Sequence, residues 1–334
     1  MAPAPLAVSL GDPAGVGPEL ICEAWARRHE ERLPPFFVCG GARLLRAAAA
    51  ARGLQVAVER VPGIAHVAEA FSTAIPVLGE IDGSYRPGNP EPEGAGLAFW
   101  SLGRAASLAV AGEAGGVVTG PISKALLAEV GLTFPGQTEF VADACQVAAD
   151  DAVMMLAGPS LKTVPLTVHV ALADVSGRLS IDLIVRRGRI VAQALRRDFG
   201  IDYPRLAVCG LNPHAGENGR MGREEIEIIA PAIAALQREG IDATGPHPAD
   251  SMFAQRARET YDVALAMYHD QALVPLKALD FDHGVNVTLG LPIVRTSPDH
   301  GTAFGIAGTG MAHPGAMVAA IRMAGDIAAR RATA

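Results

Sequence analysis

Short apolar segments alternate with longer alanine-rich segments along most of this chain, and no other feature restricts its fold as strongly. Leu6–Leu10 and Val153–Ala157 have the length and composition of buried strands, whereas Ala42–Arg52 has those of a helix. Strands that alternate with helices typically form a parallel sheet with helices on both faces. The pattern therefore predicts an α/β fold with a largely parallel sheet.

Length and composition predict further helices and strands along the chain. We expect a helix that begins at Pro18, after the glycine-rich segment 11–17, because proline is favoured at the first helical position. Further strands are predicted at Pro35–Cys39, Gly116–Thr119, Val164–Val170, Leu206–Leu211, Val263–Met267 and Val285–Leu289. Further helices are predicted at Gly94–Ala111, Ser123–Val130, Ile184–Phe199, Arg223–Glu239 and Pro314–Arg331.

Composition excludes several classes of protein. The 334 residues are enough for about two domains, and a chain with 50% hydrophobic and 19% charged residues is not globally disordered. Its net charge of −7 is opposite in sign to the basic surface that is typical of nucleic-acid binding. We therefore expect no nucleic-acid partner.

Cysteine usage and the N-terminal segment indicate a cellular location. The 4 cysteines are widely spaced and form no CxxC motif, which is typical of reduced, buried thiols. The first residues lack the charged and long apolar regions of a secretory signal, and the longest uncharged segment is rich in glycine. The sequence predicts a cytoplasmic protein without a membrane partner.

Two glycine-containing segments lie between a predicted strand and a predicted helix, a position that favours anion binding. They are Gly11–Glu19 and Thr119–Lys124. The first does not match the GxGxxG dinucleotide fingerprint, so an ordinary strand-to-helix turn remains the alternative. For Lys124, the alternative to binding a phosphate or carboxylate is a solvent-exposed lysine at the start of a helix.

Three of the 9 histidines follow predicted strands: His169, His214 and His269. Ligands of open α/β sheets collect at the carboxyl ends of strands, and three neutral imidazoles would suit a zinc-type ion. The spacing of these residues matches no local metal motif, so three separately hydrogen-bonded histidines remain the alternative. The pair His269-Asp270 also occurs in metal-dependent phosphohydrolases, although such a pair is common by chance.

Hydrogen-bond donors follow His269 at regular intervals, at Lys277, Asn286 and Arg295. A lysine, an arginine and an amide form a suitable set of donors for a phosphate dianion. The alternative is that these residues are polar groups on surface turns.

Seven longer motifs occur in a fixed order between residues 9 and 303. They are SLGDPAGVGPEL, TGPISK, FPGQTEF, CGLNPHAGENGRMGREE, GPHPADSMF, AMYHDQALVPLK and VNVTLGLPIVRTSPDHGTA. Together they resemble the 4-hydroxythreonine-4-phosphate dehydrogenase family over nearly the whole chain.

This resemblance implies a three-layer α/β/α fold of the isocitrate/isopropylmalate dehydrogenase type, with two domains flanking a cleft. We expect one domain to comprise residues 1–139 and 301–334, and the other to comprise residues 140–300. The resemblance also implies a homodimer with shared active sites, in which His269 and Asp250 come from the partner chain.

The activity implied by the resemblance is NAD-dependent oxidation of 4-phosphooxy-L-threonine to 2-amino-3-oxo-4-phosphooxybutanoate. This product decarboxylates to 3-amino-2-oxopropyl phosphate during pyridoxine and pyridoxal 5′-phosphate biosynthesis. One alternative is a sister dehydrogenase that acts on a four-carbon sugar-acid phosphate or a cis-dihydrodiol. A more distant alternative is a phosphate acyltransferase on a related fold.

The resemblance also assigns residues to roles. A divalent metal (zinc, magnesium or cobalt) would be held by His169, His214 and His269, and the catalytic set would add Asp250 and Asp270. Substrate would be bound by Gln137, Thr138, Lys277, Asn286 and Arg295. The adenosine half of the cofactor would lie on a loop that contains Gly301, Thr302, Ala303 and Gly308.

The chain departs from the family pattern at two positions. Gln137 stands where the family usually has histidine, and glutamine cannot become cationic. Gly305 stands where the cofactor loop often carries an acidic residue. Such a carboxylate would bind the ribose diol and repel a 2′-phosphate, so its absence leaves NADP as an alternative to NAD.

Overall fold

A computed structural model describes residues 3–333 of the chain. The chain forms two compact units: the first runs to Ala149 and resumes at Leu291–Thr333, and the second is Asp150–Gly290. The sequence-based prediction placed these boundaries at 139/140 and 300/301. Residues 1, 2 and 334, which that prediction included in the first domain, lie outside the described residues.

The elements alternate along the chain in the predicted way. The strands are β1 (Leu6–Ser9), β2 (Phe36–Cys39), β3 (Val58–Val61), β4 (Ile75–Leu78), β5 (Val117–Thr119), β6 (Val153–Ala157), β7 (Lys162–Pro165), β8 (Arg205–Cys209), β9 (Asp242–His247), β10 (Val263–Ala266), β11 (Val285–Leu289) and β12 (Arg295–Pro298). The helices are α1 (Gly17–Ala26), α2 (Ala42–Ala51), α3 (Val67–Phe71), α4 (Pro92–Val110), α5 (Lys124–Glu129), α6 (Gln137–Ala144), α7 (Val175–Arg178), α8 (Ile181–Phe199), α9 (Ala230–Arg238), α10 (Ala249–Met252), α11 (Gln255–Arg258), α12 (His269–Asp280) and α13 (Gly315–Thr333).

In the first unit the strand order is β3-β4-β2-β1-β5-β12, and the neighbouring strands are parallel. The central strands are buried along their whole length, which explains continuous apolar runs such as Phe36–Cys39. Ser101 of α4 accepts a hydrogen bond from the backbone N–H of Leu10 and donates one to the carbonyl of Cys39. This buried hydroxyl therefore ties α4 to the ends of two parallel strands.

In the second unit the strand order is β11-β6-β7-β10-β8-β9. The pairs β11–β6 and β6–β7 are antiparallel, whereas β7, β10, β8 and β9 run parallel to one another. Helices α8 and α9 pack closely, because a Cβ atom added at Gly188 would lie 2.8 Å from Leu236 Cδ1. A glycine in the middle of α8 is thus explained by helix packing.

The structure confirms the predicted α/β fold, and two of the predicted elements differ from the observed ones in conformation. The predicted strand Val164–Val170 is wrong beyond Pro165, because the chain leaves the sheet and His169 has a φ of 52°. The predicted helix Arg223–Glu239 begins as a π-helix at Glu225–Ile229 and becomes α-helical only at Ala230. Pro231 has no N–H to donate, so a regular α-helix cannot run through this point.

Candidate active site

Three neighbouring strands of the second unit lead into the three histidines singled out from the sequence. His169 follows β7, His269 follows β10 and His214 follows β8, and these strands lie side by side in the order β7-β10-β8. Because the strands are parallel, their carboxyl ends share one edge of the sheet. The topology therefore brings the three histidine-bearing segments to one edge.

The side chains of His169 and His269 are close together at this edge. Their ring centroids are 6.0 Å apart, and the ring planes are inclined by 38°. The Nδ1 atom of His269 lies 2.7 Å from a carboxylate oxygen of Asp270. A carboxylate accepts the proton of Nδ1–H, so this contact leaves the Nε2 lone pair of His269 to bind a ligand.

His214 is not gathered with the other two histidines. Within residues 3–333, no group of three His, Cys, Asp or Glu side chains is close enough to hold a metal ion. His214 lies on a 3₁₀ turn, Pro213–Gly219, in which six consecutive residues have positive φ. The predicted three-histidine metal site thus remains a prediction, with two of its members adjacent in the structure.

A buried carboxylate holds the start of the turn that carries His214. Glu225, which is only 3% exposed, accepts hydrogen bonds from the backbone N–H of Asn212 at 2.7 Å and from its side-chain amide at 3.0 Å. The backbone is also crowded here, since a Cβ atom at Gly216 would lie 2.5 Å from Glu225 Oε2. Glu225 therefore fixes Asn212, two residues before the left-handed part of the turn begins. No pattern in the sequence singled out Glu225.

A fourth strand end adds an acidic residue. Strand β9 pairs with β8 and leads to Asp250 in the first turn of α10, where the residue is exposed. His247, at the end of β9, lies 2.9 Å from the hydroxyl of Thr244, and burial lowers the pKa of its imidazole. His247 is therefore a neutral hydrogen-bonding group at this edge; it lies in the motif GPHPADSMF but was not selected from the sequence.

In the first unit a buried arginine forms the centre of a candidate anion site. Arg295 begins β12, is 3% exposed and donates to Thr119 Oγ1 at 2.9 Å and to Thr138 Oγ1 at 3.3 Å. Burial lowers the pKa of its guanidinium to about 10, an effect that the nearby Glu139 carboxylate partly opposes. Arg295 is thus cationic at neutral pH. Thr119 was not selected from the sequence, although it begins the TGPISK motif.

Two predicted substrate-binding residues carry buried oxygens that lack hydrogen-bond partners among the described residues. They are Gln137 Oε1 in the first unit and Asn286 Oδ1 in the second. The Nε2 atom of Gln137 donates to the carbonyl of Gly120 at 3.1 Å, so the amide orientation is fixed and Oε1 faces away from that bond. Buried polar atoms are rarely left unpaired, so each oxygen is suited to accept a hydrogen bond from a ligand. Lys277, on α12, is half-buried.

The predicted cofactor loop is anchored within the first unit on one side and open on the other. The carbonyl of Thr302 accepts a hydrogen bond from Val16 N–H at 2.9 Å, and Gly308 N–H donates to Glu19 Oε1 at 3.3 Å. By contrast, a Cβ atom added at Gly301 or Gly305 would meet no atom within 4 Å. The loop therefore offers exposed backbone to a ligand while its other side is held in place.

His300 adds an unpaired acceptor beside this loop. Its Nδ1 lies 3.0 Å from the carbonyl of Gly301, and because a carbonyl only accepts, Nδ1 carries the proton. The other ring nitrogen, Nε2, is buried and has no hydrogen-bond partner within the described part of the chain. Ala303 and His300 make no contact that is specific to one ligand. The open backbone of the loop and the unpaired Nε2 of His300 nevertheless suit a nucleotide cofactor.

None of the helices within residues 3–333 is both long enough and apolar enough to cross a membrane.

Fold and site together define an α/β protein in which three histidines follow the carboxyl ends of neighbouring parallel strands. The chain belongs to the family of the pyridoxal phosphate biosynthetic protein PdxA, whose model matches residues 32–324. The chain is 64% identical over 330 residues to a 4-hydroxythreonine-4-phosphate dehydrogenase from Erythrobacter litoralis. The aligned region covers 99% of this chain and 98% of that protein.

Two solved structures extend the comparison. The crystal structure of a 4-hydroxythreonine-4-phosphate dehydrogenase from Klebsiella pneumoniae matches with a TM-score of 0.86 and 40% identity, over 98% of each chain. A terephthalate 1,2-cis-dihydrodiol dehydrogenase from Burkholderia xenovorans matches with a TM-score of 0.64 and 30% identity, also over 98% of each chain. The overlap in both cases spans nearly the entire chain.

Proposed function

We propose that this protein is a metal-dependent NAD dehydrogenase that oxidises 4-phosphooxy-L-threonine to 2-amino-3-oxo-4-phosphooxybutanoate. Decarboxylation of this product gives 3-amino-2-oxopropyl phosphate for pyridoxal 5′-phosphate biosynthesis. The observation that carries the proposal is the arrangement of histidine-bearing segments on three adjacent strand ends, in a chain that belongs to this biosynthetic family.

The substrate would be held by Gln137, Thr138, Lys277, Asn286 and Arg295. The buried guanidinium of Arg295 suits the phosphate, because a desolvated cation attracts an anion more strongly than an exposed one does. The unpaired oxygens of Gln137 and Asn286 suit groups that donate hydrogen bonds, such as the amino and hydroxyl groups of the substrate. This donor and acceptor set favours a phosphorylated amino acid over an aromatic dihydrodiol.

His169, His214 and His269 would hold a divalent metal such as zinc, magnesium or cobalt. The chemistry of the donor set fits, because neutral imidazole is a common ligand of zinc and cobalt. When bound, such an ion acts as a Lewis acid that lowers the pKa of a substrate hydroxyl. Asp270 orients His269, and Asp250 and Asp270 are the proposed carboxylates for accepting the hydroxyl proton.

The open loop at Gly301, Thr302, Ala303 and Gly308 would bind the adenosine half of NAD. The side of Gly305 is open, so no carboxylate is available there to bind the ribose diol or to exclude a 2′-phosphate. We therefore expect NAD to be used with weaker discrimination against NADP than in a Gly305→Asp variant.

We further propose that the protein acts in the cytoplasm as a homodimer with shared active sites, to which His269 and Asp250 of one copy and His169 and His214 of the other contribute. Support comes from the described residues of a single chain, in which the three histidines do not form one metal-binding group, so a ligand from a second copy would complete the set.

A substrate panel tests the proposal. The purified chain is assayed for reduction of NAD and NADP with 4-phosphooxy-L-threonine, a four-carbon sugar-acid phosphate and a cis-dihydrodiol, with divalent metal and after exhaustive chelation. We expect reduction of NAD with the phosphorylated amino acid, loss of activity on chelation and recovery when metal is returned. Preference for another substrate would overturn the assignment, and acyl transfer to phosphate without NAD reduction would favour the acyltransferase alternative.

A further inference from the structure

One side-chain amide connects the ends of two strands in the second unit. Gln271 lies in the first turn of α12, two residues after His269, and is 8% exposed. Its Oε1 accepts a hydrogen bond from Met267 N–H at 2.6 Å, just beyond the end of β10. Its Nε2 donates to the carbonyl of Gly210 at 2.9 Å, just beyond the end of β8.

A threonine continues this chain of hydrogen bonds to the third strand. The hydroxyl of Thr167, just beyond β7, donates to the carbonyl of Met267 at 2.8 Å. Both backbone groups of Met267 are therefore paired with side chains, at a point where β10 no longer forms a ladder with its neighbours. Thr167 and Gln271 together bridge the three strand ends that lead into the histidines.

The chemistry of this bridge requires an amide. The group between Met267 and Gly210 must accept from an N–H on one side and donate to a carbonyl on the other. Glutamine does both, whereas a glutamate oxygen would repel the carbonyl of Gly210 and methionine would form neither bond. Buried hydrogen bonds of this kind fix relative positions, because breaking one leaves polar groups unpaired.

We propose that Gln271 is a positioning residue that, in each copy, holds the strand-end segments carrying His169, His214 and His269 in place for the site that each histidine serves, so that metal affinity depends on it. The inference rests on the proposed function, because it takes these histidines as metal ligands. His169 and His269 lie two residues beyond Thr167 and Met267, and His214 lies four residues beyond Gly210. A shift of any strand end would move the corresponding ring.

The test measures binding of Co²⁺ to the full-length chain. Calorimetry gives the affinity, and visible absorption reports the coordination of the bound cobalt. Gln271→Met keeps the length of the side chain and removes both hydrogen bonds. Gln271→Glu keeps the hydrogen bond from Met267 and breaks the one to Gly210. This variant carries the test if Gln271→Met does not fold. Loss of groups that orient metal ligands typically weakens binding by about 10- to 100-fold, and we expect this range for both variants.

The matched control is Thr163→Val. Thr163 lies within β7 and its buried hydroxyl donates to the carbonyl of Ala272 at 3.2 Å, so this variant also removes a buried bond between α12 and the sheet, but not at the strand ends. We expect its Co²⁺ affinity to stay within about twofold of wild type. Equal weakening in Thr163→Val and in the Gln271 variants would overturn the inference, because the effect would then be a general loss of packing.

Three further outcomes separate the inference from the proposed function. A wild-type chain that oxidises 4-phosphooxy-L-threonine and binds Co²⁺, with folded Gln271 variants that bind it equally well, would overturn the positioning role alone. A wild-type chain that oxidises the substrate but binds no Co²⁺ would overturn the metal site and, with it, this inference. Absence of oxidation despite Co²⁺ binding would contradict the proposed function and leave the Co²⁺ comparison to decide the role of Gln271.

Discussion

Arg295 shows how the burial of a charged side chain can cost stability. Its guanidinium is buried against two neutral hydroxyls, and burial lowers its pKa to about 10, below that of the unfolded chain. The unfolded state therefore binds the proton more strongly, so the charge destabilises the fold below a pH of about 10, and this effect is relieved as the pH rises further. A bound phosphate would offset the same cost at neutral pH.

We expect the Arg295→Met variant to bind phosphate poorly but to be no less stable than wild type. Replacement of a desolvated cation by an apolar side chain of similar length is often neutral or stabilising. In thermal unfolding, saturating inorganic phosphate should raise the Tm of wild type by ligand linkage but leave that of Arg295→Met unchanged. Arg322→Met, which removes an exposed arginine that pairs with Glu31, should retain the response to phosphate. A phosphate response in Arg295→Met equal to that of wild type would refute the anion-site assignment.

At the residue scale, the sequence indicated which polar residues are candidates for the site better than it indicated how deeply they are buried and which groups they contact. Arg295 was selected as a phosphate donor from its position after His269 and Lys277, but its burial depends on the pairing of β12 with β5, which are far apart in the chain. Thr119 was overlooked for the same reason, because it contacts Arg295 only after these strands pair. Gln271 carries no local signal, since both of its partners are backbone groups.

The turn that carries His214 contains several strained residues. Of its six consecutive residues with positive φ only Gly216 and Gly219 lack a side chain, and Ala215 has φ 52° and ψ 44°. This conformation costs an L-residue roughly 1–2 kcal/mol, because Cβ approaches the following carbonyl oxygen. The strain is offset by hydrogen bonds such as those to Glu225.

We therefore expect Ala215→Gly to stabilise the protein by up to about 1 kcal/mol, because glycine adopts positive φ without steric cost. Ala47→Gly is the control, since Ala47 is exposed in the middle of α2 and glycine there should cost about 1 kcal/mol. Free energies of unfolding from urea denaturation would measure both changes. The explanation fails if the two substitutions shift the unfolding free energy in the same direction.

At the element scale, the apolar strands other than β4 were predicted and the polar ones were not. Val153–Ala157 and Val285–Leu289 were predicted with the bounds that the structure has, because continuous apolar runs mark buried strands. By contrast β9, with the sequence DATGPH, and β12, with RTSP, lack that signal and were missed. Helix α12 was also missed, in part because it contains Pro275.

At the scale of the whole molecule, the sequence predicted two units with one of them discontinuous. Where the chain passes between the units depends on which strands pair, so composition alone could not locate the boundaries. The motifs near His214 and His269 were nevertheless sufficient to indicate the family to which the chain belongs. The oligomeric state and the sharing of active sites remain predictions.

Subunit mixing tests the shared site. His214→Ala and His269→Ala are each expected to be inactive, and exchange of their subunits should restore activity towards half of the wild-type value per dimer. In such a heterodimer one shared site would carry both substitutions and the other would carry neither. Mass measurement of the exchanged dimer provides the control. If dimers exchange and no activity returns, each site belongs to a single chain.

The division of the first unit between the two ends of the chain has a consequence for its synthesis. The ribosome must release all of Asp150–Gly290 before β12 and α13 become available to complete the earlier sheet. A nascent chain that stops before residue 291 carries Thr119 and Thr138 but no Arg295, so its anion site lacks the cation. Phosphate binding should therefore be among the last properties that a growing chain acquires, after the second unit has emerged.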